Sequence, residues 1–113
     1  MKVADLKPPA ATKVKFSLSD QRLVPQHPGC YVLVSFAGEI LYIGKAENLR
    51  SRFRTHRDSE EKRGAVNGKS AHWFYFAQFS KNELFRVERG WLHQYETLHA
   101  ELPRMNKIHS PVS

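Results

Sequence analysis

Cysteine is almost absent, with Cys30 the only one in 113 residues. One thiol cannot close an internal disulfide, and a cysteine-built zinc site has no ligands to draw on. Long apolar runs are missing as well. None approaches the ~18 residues of a membrane span, and the opening MKVADLKPPAATK lacks the apolar core of a secretory signal. The expectation is a soluble protein of a reducing compartment, cytoplasmic and, given a nucleic-acid partner, nucleoid-associated. Acidic residues are in deficit: 11 Asp and Glu stand against 18 Lys and Arg, a formal net charge of +7. That imbalance points to a polyanion, nucleic acid or an anionic membrane surface, without choosing between them. The length fits one domain with one modest core.

The chain divides into a basic N-terminal arm over residues 1–24, a domain over 25–109 and a short tail over 110–113. VKFSL, residues 14–18, is a candidate edge strand within a loose arm. Pro25 and Pro28 precede GCYVLVSF, then AG as a turn and EILYIG, a strand–turn–strand signal. Asn48 can cap a helix from Leu49, where Leu49, Phe53 and His56 recur at helical spacing before the charged loop RDSEEKRGAVNGKS. HWFYFAQF reads as a buried aromatic strand. Ser80 and Glu83 have capping-box spacing ahead of a long helix. Its apolar stripe is Leu84, Val87, Trp91, Leu92, Tyr95, Leu98 and Leu102, and Pro103 ends it. The order β, β, α, β, α predicts a small α+β (α/β) domain: a three-stranded, mainly antiparallel sheet flanked by helices.

Two tyrosines share the hairpin. With Ala37 and Gly38 as a two-residue loop, facing residues have numbers that sum to 75, so Tyr31 lies opposite Gly44 and Leu33 opposite Tyr42. Tyr31, Leu33, Ser35, Ile40, Tyr42 and Gly44 then share one face. Cys30, Val32, Val34, Phe36, Leu41 and Ile43 share the other, which is the more apolar and the expected core side. A three-residue loop would slip the register by one and turn Tyr42 over. Read alone, two phenols on a hairpin are packing residues with hydroxyls at the rim.

Two charged residues are oddly placed. Glu88 sits within the apolar stripe of the second helix, where a carboxylate is costly unless paired or bound to a cation. Arg52 lies beside Leu49, Phe53 and His56 at the edge of the inward face of the first helix. A simple Arg52–Glu88 salt bridge accounts for them as well as a functional site does.

PGCY, LYIGKAENLRSR, VERGWL and LPRMN together resemble the GIY-YIG nuclease superfamily, in particular the N-terminal incision domain of the bacterial nucleotide-excision repair nuclease. The resemblance spans about residues 28–107, and it rests on an ordered set of motifs. It implies catalytic roles for Tyr31, Tyr42, Arg52, His56 and Glu88, with Glu88 holding Mg²⁺ or Mn²⁺, and structural roles for Gly29, Gly44 and Asn106. Cys30 replaces the usual Ile or Val at a core-facing position. Because Glu88 and Asn106 stand further apart than in the repair enzyme, Glu96 is an alternative metal ligand. The implied activity is single-metal hydrolysis of DNA phosphodiesters to 5′-phosphate and 3′-hydroxyl ends. The substrate would be DNA, with branched, flapped or damaged forms as candidates, and a protein partner could supply specificity.

Lys45, Arg50, Arg54, Arg57, Lys62, Arg63 and Lys69 are candidates for a phosphate-binding surface, although each alone reads as a solvated charge. His93 and His99 lack paired metal-ligand spacing. Two other readings stay open: a nucleic-acid-binding module that has lost catalysis or needs a partner subunit, and an aromatic-sheet RNA binder. The second of these gives no reason for Glu88 within an apolar stripe.

Overall fold

The computed structural model describes residues 1–59 and 70–108. Four strands form one antiparallel sheet in the order β1–β4–β2–β3: β1 (Thr12–Lys15), β2 (Gly29–Ser35), β3 (Ile40–Ala46) and β4 (Ala71–Gln78). Helix α1 (Leu49–Asp58) follows β3, α2 (Leu84–His99) follows β4, and a short α3 (Arg104–Ile108) closes the described chain. The sheet therefore has four strands where three were expected. The added strand begins two residues and ends three residues N-terminal of the VKFSL reading. It is short, with Val14 its one buried residue, so its periodicity is faint, and β4 supplies the ladder that fixes it.

The arm is not loose. Val3, Leu6 and Ala10 are buried in the core on the α2 side. The Trp91 indole N–H donates to the Pro8 carbonyl at 2.8 Å. The Gln94 side-chain amide exchanges two hydrogen bonds with the Lys7 backbone, at 2.9 and 2.7 Å. These bonds satisfy backbone groups that burial would otherwise strand.

Every residue of β2 is buried, because helices cover both faces of this central strand. One core joins Cys30, Val32, Val34, Ile40 and Ile43 to Val87, Trp91 and Tyr95 of α2. The other joins Tyr31, Leu33, Leu41 and Tyr42 to Phe53 of α1, Phe74 of β4 and Met105 of α3. The face carrying the phenols is thus core as well.

The turn holds three residues, not two. The Gly38 N–H donates to the Ser35 carbonyl, Gly38 sits at φ +94°, and the Ser35 N–H donates to Glu39. This is a three-residue hairpin loop with glycine in the left-handed position. It slips Val34 onto Ile40, and a bulge that leaves Leu41 unpaired restores Leu33 opposite Tyr42 and Tyr31 opposite Gly44. Ile40 and Leu41 consequently exchange faces relative to the expected pattern, while Tyr42 keeps its side. Phe36, expected in the core, lies in the loop and is 79% exposed.

Helix α1 starts as expected. The Asn48 side chain accepts from the Ser51 N–H at 3.1 Å, and the Leu49 and Arg50 N–H groups donate to the His27 and Pro25 carbonyls. Helix α2 is led in by a 3₁₀ turn (Lys81–Glu83) with the Ser80–Glu83 capping box. It ends at Ala100, in the left-handed region at φ 62°, which leaves Leu98 exposed and lets Pro103 open α3 instead of ending α2.

Asn106 of α3 clamps the edge strand. Its amide oxygen accepts from the Ile43 N–H at 2.9 Å and its NH₂ donates to the Ile43 carbonyl at 3.0 Å, all of it buried. Asn106→Ala strands both backbone groups, and such losses cost about 1–3 kcal/mol per unsatisfied group. Urea unfolding of this variant should show a lower midpoint at unchanged slope; an unchanged midpoint would show that α3 does not hold β3.

Candidate active site

The hairpin register puts two phenols and one imidazole in mutual contact. The Tyr31 ring stacks on Phe74 (centroids 5.1 Å apart, planes 8° apart) and on Tyr42 (6.1 Å, 22°). The His56 ring, projected inward one turn after Arg52 on α1, lies 5.3 Å from Tyr31 and 5.0 Å from Tyr42. The Tyr31 hydroxyl and His56 Nε2 share a hydrogen bond. Gly44 makes this possible: a Cβ there would come within 2.5 Å of the Tyr31 hydroxyl oxygen. The space beside the ring is therefore filled by the phenol itself. Gly29 has a similar duty against the sheet and α1, since a Cβ there would overlap the Ala77 carbonyl oxygen and the Leu49 side chain.

Burial pushes the Tyr31 phenol well above its ordinary pKa. The neighbouring Tyr42 adds to the rise, and the charge and hydrogen bonding of Arg52 oppose it. Glu88, only 3% exposed, is raised by the same desolvation and pulled back chiefly by Lys45, with smaller help from Arg89 and Arg52. The Lys45 ammonium donates to Glu88 Oε1 at 3.4 Å. The ion pair that holds this carboxylate is thus with Lys45 of β3, and Arg52 of α1 acts on it through space. Cys30 faces the same carboxylate; burial and the Glu88 charge lift its thiol to about 12, and its S–H donates to the Leu84 carbonyl. That thiol is inert packing.

Lys45 and Arg52 line a cleft of about 340 Å³ together with Glu47, Lys81 and Phe85. Lys81 and Phe85 were not expected from sequence; one lies in a 3₁₀ turn and the other on the outward side of α2, where no periodicity marks them. Glu96 is exposed and lines a separate hollow with Arg89, His93 and Leu102, away from the Lys45 pair. Among the basic candidates, Arg50 is spent on structure, donating to the Val24 and Arg22 carbonyls at 2.8 and 3.2 Å. Arg54 faces the Gln21 amide, and with that amide turned so that its oxygen accepts, the guanidinium donates to it at 2.8 and 3.0 Å. Arg57 is half-buried near the end of α1. Lys62, Arg63 and Lys69 lie outside the described residues.

No group of three or more His, Cys, Asp or Glu side chains converges among the described residues, so a many-ligand cage is not what this site offers. One buried carboxylate at the edge of an open cleft fits Mg²⁺ or Mn²⁺. Mg²⁺ in particular takes oxygen ligands and keeps most of its waters.

Two stacked phenols on adjacent antiparallel strands, an arginine on the following helix and a buried carboxylate on the last long helix are the set that the resemblance to GIY-YIG nucleases implied. Residues 27–97, more than half of the chain, match the UvrC-like GIY-YIG domain, and the chain belongs to that family. It is 35% identical over 78 residues to UvrABC system protein C of Chlamydia abortus and 32% identical over 76 residues to that of Pediococcus pentosaceus. Each match covers 66% of this chain and 13% of the relative, so the likeness concerns a small part of those longer proteins. The fold agrees with the crystal structure of the GIY-YIG N-terminal endonuclease domain of UvrC from Thermotoga maritima bound to magnesium. The TM-score is 0.55 at 21% identity, over 78% of this chain and 92% of that one.

The raised Glu88 value has a sign that stability can test. A carboxyl whose folded pKa lies above its unfolded one stabilises the fold below the ordinary carboxylate range, and that contribution is lost as pH rises through the folded value. Ionised Glu88 therefore weakens the fold at neutral pH. Glu88→Gln should melt higher than wild type at pH 7, with the difference closing as the pH falls through the raised folded value and gone below the ordinary carboxylate range. Thermal melts across pH check this, and a variant less stable at every pH would contradict it.

Proposed function

We propose that this domain is a metal-dependent DNA endonuclease that hydrolyses phosphodiesters at a single-metal site, leaving 5′-phosphate and 3′-hydroxyl ends. The observation that carries the reading is a costly one. An apolar helix stripe keeps a buried carboxylate, Glu88, next to Lys45 and within the field of Arg52, beside a sheet that carries two stacked phenols. Structural needs alone would favour an apolar residue there. The relatives named UvrABC system protein C and the solved endonuclease domain support the same reading.

Glu88 would hold the Mg²⁺ or Mn²⁺, which when bound supplies charge neutralisation at the phosphoryl group and at the leaving 3′ oxygen. The planar guanidinium of Arg52 grips the scissile phosphate by paired donors. Lys45 pulls Glu88 back toward ionisation before substrate arrives and can turn to a phosphate oxygen afterwards. An attacking water must lose a proton in line with the leaving oxygen. Tyr31, wholly buried and hydrogen-bonded to His56, is a poor base in this state. The base role falls to Tyr42, with Tyr31 and His56 fixing the position of its ring. The residues Lys45 and Arg57 would extend the phosphate contacts, and a protein partner would supply the choice of substrate. A DNA substrate is consistent with a place inside the cell, with the nucleoid.

Nicking of supercoiled plasmid tests the proposal. Cleavage should require Mg²⁺ or Mn²⁺, stop with EDTA, and fall by at least about 100-fold in Glu88→Ala and in Arg52→Ala, the scale seen when one charge-stabilising group is removed from an active site. Salt-sensitive DNA binding without cutting under any metal would favour the binding-module reading instead.

A further inference from the structure

Phe85 is 65% exposed on the first turn of α2 and lines the cleft that holds Arg52, Lys45 and Lys81. A lone exposed phenylalanine needs no explanation, and Leu18, Leu23, Phe36 and Leu98 are exposed too. Its placement is what separates it from them. Phe85 stands one helical turn before Glu88 and lines the same cleft as Lys45, the partner of that carboxylate. The guanidinium of Arg89 lies over one ring face, 5.7 Å from its centroid. Arg52, Lys45, Lys81 and one exposed aromatic surround about 340 Å³, with Lys81 paired to the Glu47 carboxylate at 3.3 Å; the cleft is of ligand size at the low end, suited to a single nucleotide, with Arg52 and Lys45 for its phosphate and a π-face for its base.

We propose, on the footing that the domain is a DNA nuclease, that Phe85 is a base-stacking platform selecting strands with an unpaired nucleotide beside the scissile phosphate. In intact duplex both faces of every base are covered by its neighbours, so a protein ring stacks only on a base that has left the helix. Flaps, forks and single strands offer such a base at no unstacking cost. The substrate class is therefore DNA at a junction between paired and unpaired strands. Phe85 acts as a specificity residue while the phosphate grip remains with Arg52 and Lys45.

The test uses the full chain in EDTA, so that nothing is cut, and two oligonucleotides: a flap carrying 2-aminopurine as the unpaired base at the junction, and the fully paired duplex of the same sequence. Wild type should bind the flap about tenfold tighter than the duplex and change the 2-aminopurine fluorescence on binding. Phe85→Ala should lose both the preference and the fluorescence change while keeping the salt dependence of binding, and Phe85→Trp should retain both. Exposure of the ring means that neither variant disturbs the core, which thermal melts verify. Equal preference and equal fluorescence change in Phe85→Ala would overturn the stacking role, leaving metal-dependent nicking by wild type to stand. A wild type that bound neither oligonucleotide and nicked no plasmid would overturn the nuclease reading and this proposal with it.

Discussion

Tyr31 stands opposite Gly44 across the β2–β3 ladder, and its hydroxyl lies where any side chain at position 44 would have to be. That contact depends on register. The three-residue loop would have turned Tyr42 away from Tyr31, and the bulge at Leu41 cancels the slip. Once the two rings are stacked, the imidazole of His56 closes against both, and the first turns of α1 set Arg52 at the rim of the cleft. A one-residue error at the hairpin would have put Tyr42 into the core beneath α2 and left His56 with one phenol.

The second half of the site reaches the same end of the sheet from the other face. Cys30 and Lys45 are paired across β2 and β3, and their face is covered by α2, which brings Glu88 to Lys45. The carboxylate works against the fold in this position. Burial favours its neutral form, and Lys45 offsets only part of the cost. The proposed function gives a reason to keep it there, because charge interactions gain strength as water is excluded. Such a residue is kept at the expense of stability, a trade common where activity needs a strained or charged group in the interior.

Local rules carried much of this arrangement in the sequence. Asn48 as a cap, the Ser80–Glu83 box and the inward trio Leu49, Phe53 and His56 depend on contacts within a few residues, and each is found in place. Pairing of Tyr31 with Gly44 was legible for a different reason: bulge and loop length compensate, so the two-residue and the bulged three-residue hairpin agree beyond Leu33. What was not legible is set by distant partners. The strand Thr12–Lys15 exists because β4 offers it an edge, and the arm is held by Trp91 and Gln94, more than eighty residues away. The partner of Glu88 is a third case. Spacing along two helices suggested Arg52, whereas Lys45 reaches it from the adjoining strand. Asn106, too, meets a distant partner, its two bonds to Ile43 tying α3 to the sheet.

The proposed function requires that Glu88 hold one cation. Titration with Mn²⁺, followed by paramagnetic broadening of backbone amide resonances, addresses it without relying on cleavage. Broadening should be saturable and strongest around Lys45, Arg52 and Glu88, should be displaced by Mg²⁺, and should vanish in Glu88→Gln. Saturable broadening centred elsewhere, or an undiminished effect in the variant, would overturn the assignment of Glu88 as the metal ligand.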